Sequence, residues 1–392
     1  MMNRIKQLPI YLAFLFSINV GMGFSQIQTD SIVVSDSTYT AVDSVLLIQN
    51  DSIVEVLDSI TIPEKVSIIG VGDIMLGTNF PSTNYLPPAN GARLLKGVDS
   101  ILRSADLTFG NLEGCLLNEG GKVKKCSDPK KCYAFRMPEN YVHHLVDAGF
   151  DVVSIANNHL GDFGNEGRIN TQKILDSVQL NYAGLIGCPF TSFEKNGIKY
   201  GFCAFAPNTG TVDIRKIDEA EQIVKRLKDS CDIVIVSFHG GAEGKSYRHV
   251  TRKTEYFYNE DRGNVYEFSH RLIDAGADII FGHGPHITRG IELYKNRIIA
   301  YSLGNFCTYA RFNLSGHNGV APLLKLNLTR EGVFVDGRII PIKQLGEGGP
   351  ILDPLNTAIK EVIELNATDF PESPLEIDSN GFLRSNTSDV GK

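Results

Sequence analysis

Short apolar runs alternate with stretches of helical periodicity through most of the chain. The runs at residues 66–71, 106–109, 151–155, 198–205, 232–238, 278–281 and 297–301 are rich in Val, Ile and Phe. Their length and their bounding turn formers predict strands. Helical patterns fill the gaps at 92–104, 139–148, 166–178, 218–230 and 263–275. Buried strands alternating with helices predict an α/β fold. Further along, runs at 323–328 and 333–340 are separated only by Thr-Arg-Glu-Gly. That stretch reads as antiparallel, either at a mixed edge or in a second sheet packed on the first.

The two ends read differently from the middle. Arg4 and Lys6 precede an apolar stretch from Leu8 to Val20, and Gly23 and Ser25 place small residues at −3 and −1 of a cleavage site before Gln26. Residues 1–25 are therefore expected to be a signal peptide. The apolar stretch is shorter than the ~20 residues that cross a bilayer; an uncleaved membrane anchor is the alternative. No Cys lies near this site, which excludes a lipoprotein anchor. The expected location is exported, periplasmic or at the cell surface. Residues 26–62, rich in Ser, Thr, Asp and Val, read as a flexible linker. The main domain is expected over 63–354, and the polar residues 355–392 as a C-terminal tail.

Composition narrows the class. With 42% apolar and 21% charged residues the chain can build a packed core, which excludes a disordered or collagen-like protein. A formal charge of −7 argues against a general nucleic-acid binder, which needs a basic surface. Seven Cys are present, and an exported chain permits disulfides. Cys126 and Cys132 bracket a short loop and are the expected pair. Lys122, Lys124, Lys125, Lys130 and Lys131 surround them, followed by Arg136. Such a cluster is either a solvated loop or an electrostatic guide for a polyanion. Arg136 is the residue suited to clamp one carboxylate or phosphate through its two-pronged fork.

The polar chemistry is concentrated just past strand ends. Asp73 closes the first run, and Asn111 and Glu113 follow the second. Asn157, Asn158, His159 and Asp162 follow the third, His239 and Glu243 the fifth, and His283 and His286 the sixth. In open α/β sheets the strand C-termini converge on the ligand crevice. Imidazole, carboxylate and amide oxygen together suit Mn, Zn, Fe or Mg. Asp73, Glu113, Asn158, His239, His283 and His286 are the expected metal ligands. Glu113 is placed to bridge two ions if two bind. His159, oriented by Asp162, is the expected acid or charge stabiliser, and Glu243 a base or outer partner.

Six segments carry a family resemblance. They are Gly-Asp73-Ile-Met-Leu-Gly, Asn111-Leu-Glu113, Ala-Asn-Asn158-His159-x-x-Asp162-x-Gly, Phe-His239-Gly-Gly, Gly-His283-Gly-Pro-His286 and Tyr301-Ser-Leu-Gly-Asn305-Phe. In this order they resemble the bacterial poly-gamma-glutamate capsule synthesis (CapA) family over residues 66–310. Phe135-Arg136-x-Pro and Ala148-Gly-Phe-Asp151-Val also look like that family. It is related in fold to calcineurin-like metallophosphoesterases. The resemblance implies a four-layered α/β/β/α sandwich with mixed sheets. It also implies one or two divalent metals and a role in making or trimming a capsule polymer. The implied partners are an anionic, gamma-polyglutamate-like envelope polymer and capsule-synthesis membrane proteins; Asn305 joins Arg136 as an expected substrate contact. Metallophosphoesterases usually open with Asp-x-His, whereas Ile74 and Met75 follow Asp73 here. Three functions follow as expectations: a metal-dependent hydrolase or transferase of an envelope polymer, a non-catalytic polymer-binding component, or a general metallophosphodiesterase.

Overall fold

The apolar runs pair into two sheets whose inner faces meet. The computed structural model describes residues 33–34, 37–38, 65–126, 132–345 and 348–386. The expected signal peptide, Lys130 and Lys131 lie outside these residues. Of the expected linker, one antiparallel pair, Val33–Val34 with Ser37–Thr38, is described. Residues 62–392 form a unit of their own.

In chain order this unit contains β1 (Lys65–Met75), β2 (Leu107–Leu112), α1 (Val142–Ala148), β3 (Val152–Ser154), α2 (Gly164–Ser177), β4 (Asn181–Ala183), β5 (Phe190–Lys195) and β6 (Ile198–Phe205). Next come α3 (Ile217–Lys228), β7 (Ile233–His239), α4 (Val265–Asp274), β8 (Ile279–His283), β9 (Ile291–Tyr294), β10 (Arg297–Ala300) and β11 (Asn305–Thr308). The last are β12 (Val320–Thr329), β13 (Phe334–Gln344), β14 (Pro350–Leu352), α5 (Thr357–Asp369), β15 (Leu375–Ile377) and β16 (Phe382–Ser385).

One sheet has the order β9-β10-β8-β7-β6-β5, parallel at its centre and antiparallel at both edges. The other has the order β15-β16-β13-β12-β1-β2-β3-β4, with β11 beside β1 and β14 beside β13. It is parallel from β1 to β4 and antiparallel from β1 through β12 to β16. Both sheets are mixed because βαβ crossovers build the parallel parts and short turns build the rest.

Side-chain alternation explains the layers. Ile233 and Ile235 of β7 share a core with Ile68, Phe109 and Phe281 between the sheets. Val234 and Val236 point the other way, into a cluster with Val224 of α3 and Phe268 of α4. Leu145 of α1 and Leu175 of α2 cover Ile69 and Val71 on the outer face of the second sheet. Strands buried on both faces need apolar residues at every position, hence the unbroken runs in the sequence. The result is the expected α/β/β/α sandwich. Gly70 lets the sheets approach, since a Cβ there would lie 2.3 Å from the Phe281 ring.

Two expectations change. The helix expected over 92–104 is reduced to Asp99–Leu102, preceded by turns. Gly97 interrupts it, with its Cα packed so close that a Cβ would stand 2.6 Å from the Pro350 carbonyl. The expected tail from 355 is instead part of the domain. Ile359, Val362 and Leu365 of α5 are buried, and β15 and β16 extend the sheet. Polar composition outside that apolar stripe hid the helix.

Candidate metal centre

The polar ends of strands from both sheets face one another. Asp73 on β1 pairs in register with Asn111 on β2 and with Asn305 on β11. His239 ends β7 opposite His283, which ends β8. Glu113 follows β2, its amide bonded to the Ile74 carbonyl at 2.9 Å. The turn after β8 brings His286 into place with φ 57°, a left-handed backbone that a non-glycine residue rarely takes. Such strain persists where the surroundings demand it, often at functional sites.

Asp73, Glu113 and His286 each offer one ligand atom, all within 4.8 Å of one another. Nδ1 of His283 lies 3.1 Å from Asp73 Oδ1, and Nδ1 of His286 lies 2.8 Å from Oδ2. His286 Nε2 is 3.5 Å from Glu113 Oε1, and His239 Nδ1 is 3.9 Å from Oε2. The Asn111 amide donates to Asp73 at 2.8 Å and to Glu113 at 3.0 Å, tying the two carboxylates together. Asn157 in turn holds Asn111 at 3.2 Å and the Leu112 carbonyl at 2.8 Å.

Charge in this dry pocket is unbalanced. Burial works against ionisation of Asp73, but hydrogen bonds from His283 and His286 outweigh it and hold its carboxyl well below the usual range. Burial, then the Asp73 charge, push Glu113 well above its ordinary value. Burial opposes protonation of His286, yet Glu113 and then Asp73 carry it up to about 10. Burial, then Arg262, hold His239 well below the ordinary imidazole value.

Among the described residues, several buried atoms have no hydrogen-bond partner: Glu113 Oε1, Asn158 Oδ1, both His239 nitrogens and His283 Nε2. An unpartnered buried polar atom is costly. The orphans here are oxygen and imidazole nitrogen, the donor set of a divalent cation. The residues therefore fit a metal. Five of the six expected ligands, Asp73, Glu113, His239, His283 and His286, lie around this pocket, with Asp73, Glu113 and His286 meeting most closely.

A second group flanks the cluster. His159 Nε2 is 4.0 Å from Glu113 Oε1, and its Nδ1 is 2.7 Å from Asp162 Oδ2. Burial, only partly offset by Asp162, keeps its basicity below the ordinary value. Asp162 is gripped from both sides of one loop: Lys124 Nζ at 2.6 Å and the Phe135 amide at 2.7 Å. Cys126 and Cys132 close that loop as a disulfide, and the Phe135 ring lies 4.2 Å from His159.

The remaining expected residues already have protein partners. Arg136 donates to Asn79 at 2.6 Å and to the Gly120 carbonyl at 2.8 Å, and stacks over Phe163. Glu243 accepts from Arg262 at 2.9 Å. The Asn305 amide donates to the carbonyls of His286 at 3.3 Å and Asn318 at 3.0 Å. Asn305 thus holds the His286 turn. From the sequence, Asn111 and Arg262 have no assigned role at the site, and Lys124 enters only as part of the basic cluster; Asn111 carries one further signal, its place two residues before Glu113.

The model of the bacterial capsule synthesis protein family PGA_cap matches residues 67–310, more than half of the chain. The capsule biosynthesis protein CapA of Bacillus anthracis is 29% identical over 269 residues, covering 62% of this chain and 60% of that one. The PGA biosynthesis protein CapA of Bacillus subtilis is 29% identical over 252 residues, covering 60% and 61%. The match thus spans about three fifths of these relatives. Among solved structures, the NAD nucleotidase of Haemophilus influenzae aligns with TM-score 0.39 at 13% identity, over 78% of this chain and 56% of that one. A purple acid phosphatase from yellow lupin aligns with TM-score 0.36 at 12% identity, over 76% and 55%. The protein belongs to the bacterial capsule synthesis family PGA_cap.

Proposed function

We propose that this protein is an exported, metal-dependent hydrolase or transferase that acts on an anionic envelope polymer during capsule assembly. The observation that carries this is the meeting of Asp73, Glu113 and His286 in a buried pocket whose other imidazoles have unpartnered nitrogens. Asp73, Glu113, Asn158, His239, His283 and His286 would hold the metal, which supplies Lewis-acid polarisation of an acyl or phosphoryl oxygen. His159 holds or gives a proton at Nε2, because Asp162 occupies Nδ1. The Phe135 and Phe312 rings exclude water from one side of the site. A gamma-linked glutamate polymer is the substrate class that fits the name of the Bacillus subtilis relative.

A polymer-binding role without turnover is the second possibility. It is favoured by Met75, which is buried where the Asp-x-His pattern of metallophosphoesterases would place a ligand.

Metal content by mass spectrometry on residues 26–392, beside a His283→Ala/His286→Ala variant, is the first test. Near-stoichiometric metal that the variant loses, with turnover of a gamma-glutamyl polymer, is expected. Metal without turnover moves the binding role to the front. Turnover of a chromogenic phosphodiester alone would make it a phosphodiesterase. No metal after reconstitution with Mn or Zn would sink the proposal.

A further inference from the structure

Just past β11, an arginine beside the site has no hydrogen bond or ion pair among the described residues. Ala310 and Arg311 both take left-handed backbone conformations, φ 52° and 57°. Two such non-glycine residues in a row persist only where their surroundings hold them. The surroundings are aromatic. The Arg311 guanidinium lies 5.0 Å from the Tyr85 ring and 5.0 Å from the Tyr133 ring. The next residue, Phe312, stacks on Phe135 at 5.0 Å and meets His286 edge-on at 5.6 Å. The strained elbow therefore fixes Arg311 next to the wall of the metal cluster.

Its contacts differ from those of Arg136, Arg262 and Arg289. Arg136, Arg262 and Arg289 each donate to a side-chain or backbone oxygen. Arg311 has neither a hydrogen bond nor an ion pair among the described residues, and its Nε is buried without an acceptor. Cation–π contact satisfies the faces of a guanidinium but leaves its N–H fork free. Tyr133 follows Cys132, whose disulfide partner Cys126 comes directly after Lys124 and the exposed Lys125.

We propose that Arg311, framed by Tyr85 and Tyr133, is an anion subsite that binds a free carboxylate on the polymer unit beside the one held at the Asp73–Glu113–His286 cluster. The choice of polymer rests on the hydrolase reading above; the subsite itself does not. A gamma-linked glutamate chain carries one free carboxylate per unit, so an anion subsite beside the cluster sets the register of the chain.

The test is calorimetric binding of a short gamma-linked glutamate oligomer, and of its neutral methyl ester, to the full chain. Arg311→Gln should weaken the acid oligomer by about 10- to 100-fold, the range of a lost charge-assisted hydrogen bond. The ester should bind both proteins equally and weakly. Arg311→Lys keeps the charge but not the fork, and should fall between; it decides the matter if the Gln variant does not fold. Equal affinity of wild type and Arg311→Gln for the acid oligomer would overturn the subsite. So would a wild type that does not prefer acid over ester. Weakened binding by Arg311→Gln in a protein that turns nothing over would keep the subsite and remove the hydrolase reading.

Discussion

Asn111 shows how much a single uncharged side chain does here. Its amide donates to Asp73 and Glu113 together, so the two buried carboxyl groups are held side by side, with the His286 imidazole bridging them from the other side. Ionising both in a low-dielectric pocket is costly, which is why burial and the Asp73 charge push Glu113 up. Asn111→Asp adds a carboxylate and removes the shared donor. Thermal unfolding in EDTA should show a lowered Tm for Asn111→Asp. Added Mn or Zn should raise its Tm by more than it raises the wild type, because bound cation stabilises the native state by mass action. An equal metal-induced shift in both proteins would mean that the cation does not sit between these carboxylates.

At the scale of elements, α5 is the clearest case of local chemistry fixing a boundary. Asp353 lies ahead of the helix and accepts from the Leu355 amide at 3.2 Å and the Thr357 amide at 2.9 Å. Those free amides at a helix start are what a capping carboxylate satisfies. Burial pushes the Asp353 carboxyl up, but the Thr357 hydrogen bonds outweigh it and hold it below its ordinary value. A depressed carboxyl contributes stability that is full above its unfolded pKa of about 3.9 and is lost as pH falls through the folded value. Asp353→Ala should therefore cost about 1 kcal/mol in urea unfolding at neutral pH. The difference from wild type should shrink as the pH is taken below about 4. A difference that stays constant down to the acid limit would show that the cap acts through packing alone.

Across the whole molecule the site depends on how closely the two sheets sit. Phe109 and Phe281 stack at 5.1 Å across the interface, and Phe281 stands two residues before His283. Gly70 lies three residues before Asp73 and leaves room for that ring. Gly70→Ala should destabilise the protein by about 1–3 kcal/mol, as overpacking in a core does. It should also loosen the Asp73–His283 contact and lower metal affinity. Phe281→Leu in the same chain should recover much of both, a coupling that a double-mutant cycle reads directly. Additive effects would mean that the sheets meet elsewhere.

Much of this was legible in the sequence. Unbroken Val and Ile runs marked the doubly covered strands, since a residue with apolar layers on both sides has no polar option. Polar residues just after those runs marked the site, because parallel strands end at one side of a sheet. The spacing of Cys126 and Cys132 marked the loop they close. The tertiary structure decided the rest. Asn111 links two carboxylates only because β1 and β2 pair in that register, and Lys124 and Phe135 meet Asp162 and His159 only because the segments on either side of the Cys126–Cys132 disulfide pack there. Arg136 is spent on Asn79 and a carbonyl, while Arg311 has no hydrogen bond among the described residues. The sequence names the donors and acceptors; which of them meet depends on contacts between residues far apart in the chain, and no local pattern carries that information.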